Sequence, residues 1–101
     1  MLTPKQANER VAAAYAVLNK KWRRKTPWWE LVDLKKFTIN DERLCVLGQL
    51  YGSFYDRRAD NICDESNEIE LGFVANSLVD DLTLERAWIR AIRKLRKEAT
   101  T

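Results

Sequence analysis

The chain has no histidine, and among its 101 residues only two cysteines, three glycines and two prolines. Without histidine there is no Ser/His or Cys/His nucleophile pair, no imidazole base and almost none of the usual zinc ligand sets. Cys45 and Cys63 are not spaced as CxxC, so no metal or cofactor site is expected. A disulfide between them fits the spacing, but an intracellular chain with its own core needs none. No nucleophile, base and stabiliser can be assembled together, and catalysis is not expected. Long apolar runs are missing too, which excludes a membrane span of about 18 residues. The N-terminus lacks a basic segment leading into an apolar one, so it does not read as a signal peptide. A soluble, cytoplasmic protein is the expectation.

What is present points to a folded helical domain. Hydrophobic residues make up 46% and charged residues 33%, a globular balance. Scarce glycine, proline and β-branched residues favour helices over a turn-rich β fold. One domain covering residues 1–101 is expected.

Thr3 and Pro4 open the first helix as N-cap and first helical residue. Ala7, Val11, Ala14, Tyr15, Leu18 and Trp22 recur at three- and four-residue spacing as one apolar stripe. Lys20, Lys21, Arg23, Arg24 and Lys25 are read as its cationic last turn, before Pro27 stops it. The connector "PWWELVDLKKFTIN" is too apolar for a solvated loop. It reads as a helical turn followed by an irregular segment laid over the core.

A central helix is predicted from about Asp41 to Tyr55, capped by Thr38 or Asn40, and apolar nearly all round. Cys45 lies about four residues into it, past the amide-donor end, and reads as a small core hydrophobe. Gly48 and Gly52 cost about 1 kcal/mol each in a helix interior. Their spacing makes a groove for another element, best filled by a packed Trp or Phe. Gln49 beside them is expected to pin the backbone of the irregular segment. Asp64 or Ser66 caps a short third helix, ended by Gly72 and Phe73 in a left-handed cap. "VANSLVDD" reads as a loop, and Thr83 as the cap of a last helix with Leu84, Trp88, Ala91, Ile92 and Leu95 inward.

Charge is distributed unevenly. Residues 1–25 carry seven Lys/Arg and one acid, residues 56–85 two Lys/Arg and nine acids, and residues 86–97 six basic groups and no acid. Arg86, Arg90, Arg93 and Lys97 form one stripe at helical spacing, suited to phosphates or to an acidic protein surface. The blander reading is a solvated face suited to the helix dipole and paired with the acidic middle. "KKWRRKTPWW" interleaves aromatic and cationic groups as single-strand binders do. Trp22 belongs to the core stripe, which leaves Trp28 and Trp29 for the surface. The acidic run Asp60, Asp64, Glu65, Glu68 and Glu70 lacks the glycine-turned alternation of a calcium loop.

Three pieces, "PWWELVDLKKFTI", "CVLGQLYGSFYD" and "LTLERAWIRAI", occur in that order. They resemble small proteins of actinobacterial phages and prophages with the layout "P-G-W…IDLD-x-LDI…CVLGQLYG…LGF…LT-x-x-W". The likeness runs from Trp28 to Ile92, about two thirds of the chain. It departs at Trp29, Lys35 and Lys36, where acidic residues would fit better. The resemblance implies a phage or prophage origin and a bacterial cytoplasmic setting, and carries no functional residues with it.

The expected fold is therefore all-α: three main helices plus a short fourth, with the Trp-rich connector packed on the core. The expected function is a non-catalytic accessory role through contact with a host protein, with Arg23, Arg24, Trp28 and Trp29 as the surface, since Trp and Arg dominate interface anchors. The alternative is nucleic-acid binding through Arg86, Arg90, Arg93 and Lys97.

Overall fold

A computed structural model describes residues 1–64, 66–75 and 77–100, with the side chain of Leu78 set aside. Glu65, part of the acidic run, lies outside the described residues. The chain is all-α, with no strand among the described residues. Among the described residues five helices follow in order: α1 Pro4–Lys21, α2 Trp28–Leu31, α3 Val46–Tyr51, α4 Arg57–Asp60 and α5 Leu78–Ala99. Two are long and three are short. The expected three main helices plus one give way to a long pair, α1 and α5, with short helices and turns wrapped against it.

α1 begins where Thr3 and Pro4 place it. The Thr3 hydroxyl accepts from the Gln6 amide at 3.1 Å, and the Gln6 side chain accepts from the Thr3 amide at 2.9 Å. That reciprocal pair satisfies two of the amides a helix start leaves free. Ala7, Val11, Ala14 and Leu18 are buried along one stripe. The helix ends earlier than its charges suggest, at Lys21. Trp22 turns extended, with φ −68° and ψ 128°, so Arg23, Arg24 and Lys25 lie in the connection beyond the helix.

α5 begins earlier than expected. Ser77, not Thr83, is its cap: the Ser77 hydroxyl accepts from the Asp80 amide at 3.2 Å. The Thr83 hydroxyl instead donates to the Val79 carbonyl within the helix, at 3.4 Å. Leu84, Ala87, Trp88 and Ile92 form its buried stripe, with Ala91 and Leu95 partly covered. Alanines at 7, 14 and 87 keep little side chain between the two long helices. Two polar ties cross between their ends: Leu2 N–H to Asp80 Oδ1 at 2.7 Å, and the Arg90 guanidinium to Asn8 Oδ1 at 2.9 Å.

The connector packs on the core as expected, but Trp28, expected at the surface, is buried within it. Trp28 is the centre of the core at 1% exposure, edge-on to Trp88 with ring centroids 6.1 Å apart. Phe73 covers the other side of Trp88 at 5.4 Å. Each buried indole N–H finds an acceptor, Asn19 Oδ1 for Trp28 and the Gly72 carbonyl for Trp88. Arg96 of α5 donates to the carbonyls of Trp29 and Val32, fastening the connector to the long pair. Ile39 N–H donates to Glu85 Oε1 at 2.9 Å and fastens its far end.

The "CVLGQLYG" stretch differs most from its reading. The predicted helix over about 41–55 is a single short helix, Val46–Tyr51. Asp41 turns the chain first: its carboxylate accepts from the amides of Arg43 and Leu44, and its carbonyl from Cys45. Cys45 is therefore the N-cap of α3, with Sγ accepting from the Gly48 amide at 3.3 Å. Gly52 is the C-cap, in the left-handed region at φ +93°.

The two glycines thus have separate reasons. Gly48 lies beneath the Glu42–Arg43 backbone; a Cβ there would run into the Glu42 carbonyl and stand 2.7 Å from the Arg43 carbonyl carbon. No Trp or Phe fills a groove over both. The close neighbour is the chain's own preceding turn, pinned there by the Phe54 amide donating to the Glu42 carbonyl at 2.6 Å. Gln49 does what its position suggests: its amide exchanges two hydrogen bonds with the Asp33 backbone, at 2.6 and 3.2 Å, and donates to the Leu44 carbonyl.

Residues 66–72 form turns rather than the short third helix expected there; the extra helix is α4, capped by Asp56. The end of this stretch is as read. Phe73 N–H reaches the Glu68 carbonyl and Gly72 N–H the Ile69 carbonyl, a Schellman pattern with Gly72 at φ +70°.

Candidate functional site

Trp22 is half-buried and packs against the core, as its place in the apolar stripe suggests, yet it also lines a surface cleft. Beyond the end of α1 at Lys21 its ring leans on Tyr51, with centroids 5.7 Å apart and planes at 59°. Its indole N–H donates to the Thr26 carbonyl at 2.7 Å, which fixes the ring. Leu50 and Ile62 complete the apolar floor of a cleft of about 280 Å³. Lys21, Arg23, Arg24 and Arg58 supply its cations, and no carboxylate lines it among the described residues. Arg24 lies over the Trp22 ring at 5.8 Å and Arg58 over Tyr51 at 5.5 Å.

The four cations differ in what they already hold. Arg58 is committed to Asp56 at 2.9 Å and to the Tyr51 carbonyl. That contact raises the Arg58 pKa and brings the Asp56 carboxyl down to about 2. Lys21 donates to the Asn61 carbonyl at 2.6 Å. Arg23 and Arg24 are exposed and make no ion pair among the described residues. Two guanidiniums beside an aromatic floor suit a carboxylate or phosphate that brings an apolar or planar group with it.

A second cleft, of about 500 Å³, has the opposite charge. Asp41, Glu42, Asp60, Asp64 and Glu68 line it, with no cation among its described lining residues. Asp41 and Asp64 bond backbone amides, Asp64 also bonds the Ser66 hydroxyl, and Glu42 accepts from Ser53. Tyr55 stands at its edge, 75% exposed. Cys45 and Cys63 lie in its wall as buried free thiols. Burial and the surrounding carboxylates push the Cys63 thiol up to about 12, and burial also raises Cys45 despite its bond from the Gly48 amide. Neither is a ready thiolate. No grouping of His, Cys, Asp or Glu among the described residues is arranged to hold a metal ion.

The sequence-predicted residues therefore divide. Arg23 and Arg24 meet at one cleft. Trp28 does not join them: it is core, and its expected surface role is corrected by its burial. Trp29 is half-buried against the core, with its carbonyl taken by Arg96. Trp22, Tyr51 and Arg58 were not singled out for this site; Trp22 carried a signal in standing between the lysines and Arg23, but helical spacing assigned it inward. Arg86, Arg90, Arg93 and Lys97 are all exposed on α5, with Arg90 bonded to Asn8. Among the described residues no ion pair joins them to the acidic middle; the ion pairs there are Arg58–Asp56 and Lys94–Glu98, both local. No helix of the described residues is long and apolar enough to cross a membrane. Compared with protein families, curated proteins and solved structures, the chain matches none.

Proposed function

We propose that this is a non-catalytic accessory protein of phage or prophage origin that acts by binding a host protein in the bacterial cytoplasm. The observation that carries the reading is the Trp22–Tyr51 cleft with Arg23 and Arg24 unpaired at its rim. Tryptophan, tyrosine and arginine are the residues that anchor protein interfaces, and here they converge on a concave, partly desolvated surface. The partner suited to it presents a carboxylate beside an apolar or aromatic side chain. The absence of histidine and the raised thiols support a binding role over a chemical one. The test is capture from an actinobacterial host with tagged wild-type protein and Arg24→Glu. Wild type retains a host protein that the variant loses; equal capture by both rejects the cleft.

A second reading rests on the exposed stripe Arg86, Arg90, Arg93 and Lys97, which suits nucleic-acid phosphates. It requires binding to DNA or RNA that falls steeply with salt and weakens when Arg90 and Arg93 become glutamate. Unchanged binding in that double variant rejects it.

A further inference from the structure

The basic-aromatic cleft and the acidic cleft share one small support. Tyr51 at the end of α3 and Arg58 of α4 line the first, while Tyr55 between these helices and Asp60 at the end of α4 line the second. Each is single-signed, and neither is neutralised by the other within the chain, because both described ion pairs join near neighbours in sequence. The cleft around Trp22 has an apolar floor and two unpaired guanidiniums. The acidic cleft offers what such a floor and rim would take: an aromatic side chain, Tyr55, three-quarters exposed and flanked by carboxylates. An exposed tyrosine beside carboxylates, resting edge-on against Phe54, is the complement of a tryptophan–tyrosine hollow among arginines.

We infer that exposed Tyr55 and the carboxylates beside it on one copy dock into the Lys21–Trp22–Arg24–Tyr51 cleft of a second copy, so that the protein self-associates through charge-matched but different surfaces. The inference rests on the reading of the Trp22 cleft as a protein-binding surface and names a second copy as an occupant. The two surfaces differ, so the contact is heterologous and each copy offers one donor and one acceptor face. A host partner and a second copy would compete for the same cleft.

Sedimentation of the purified chain across a concentration series tests this. Wild type self-associates at low salt and dissociates toward monomer near 1 M salt, where the screening length is about 3 Å. Arg24→Glu weakens association by about tenfold or more, and so does Asp60→Lys with Glu68→Lys. Circular dichroism and thermal melts establish that both variants remain folded. Mixing them is the decisive arm: the first keeps its acidic cleft and the second its basic cleft, so together they form a 1:1 complex that neither forms alone. A wild-type monomer at every concentration and low salt overturns the inference, as does association unaffected by either variant or not restored on mixing. The outcomes for the underlying reading are separate: a monomeric wild type whose capture of a host protein is lost in Arg24→Glu sinks self-association and leaves the cleft as a host-binding site.

Discussion

The two clefts on either side of the α3–α4 segment differ in how they are built. The basic one gathers the ends of α1 and α3 and the start of α4 around the connection that carries Trp22, Arg23 and Arg24. Its aromatic rings are fixed by packing and by the Trp22 hydrogen bond to Thr26. The acidic one is walled by the end of α4 and by turns over 39–45 and 61–64, where Asp41 and Asp64 accept from nearby backbone amides. A site whose rings pack against the core inherits its rigidity, whereas a site on turns depends on local hydrogen bonds that open more readily. Interference with the core should therefore remove both, and interference with the turns should remove the acidic cleft first.

Trp28→Ala is the strongest way to erase the distinction. Truncating this buried ring should cost about 3–5 kcal/mol, enough to unfold much of a small domain, and denaturant titration would measure it. Next comes Gly48→Ala, which drives a methyl group into the Glu42–Arg43 backbone. A loss of about 1–3 kcal/mol is expected, with hydrogen exchange rising first around 41–45 and the Trp22 cleft spared. Should the two clefts loosen together, the contrast in their construction is wrong. Gln49→Ala removes three hydrogen bonds that tie α3 to the connector. It should cost about 1–2 kcal/mol without altering the charge of either cleft.

Smaller effects sharpen the electrostatic side. In native protein at pH 8, alkylation of Cys63 should be at least about a hundredfold slower than that of a free cysteine, since a pKa of about 12 leaves hardly any thiolate. Fast labelling would show the acidic wall to be open. Asp56 supplies a pH dependence of known sign. Its folded pKa of about 2 lies below the ordinary value of 3.8, so its contribution is complete above about pH 4 and lost as pH falls towards 2. Asp56→Asn should flatten the acid limb of a melting-temperature profile across that window, and an unchanged limb would remove Arg58–Asp56 from the account.

The sequence made α1 legible because Thr3, Pro4 and the apolar stripe agree with one another. Gln49 was legible as a side chain that needs backbone partners, whereas Trp28 reads from the sequence as a surface anchor and lies in the core. The central helix was misjudged because hydrophobic periodicity continued through Asp41–Leu44, while the Asp41 carboxylate took amides in a turn. Cys45 then became the cap, a role sulfur fills far less often than oxygen. Ser77 with Asp80 three residues on is a start signal for α5, masked by the polar, loop-like composition of "VANSLVDD". The Trp22 cleft needed Arg58 and Tyr51 brought beside the end of α1, and no local pattern encodes that meeting.

The four tryptophans also sort the molecule optically. Trp28 and Trp88 are sealed in the core, Trp29 is half-covered, and Trp22 lies in a cleft lined by cations. Iodide, an anionic collisional quencher, would be drawn to Trp22 by Arg23 and Arg24 and kept from the buried pair. The chain thus carries an internal reporter in which quenching follows occupancy of the cleft while the remaining emission follows the fold.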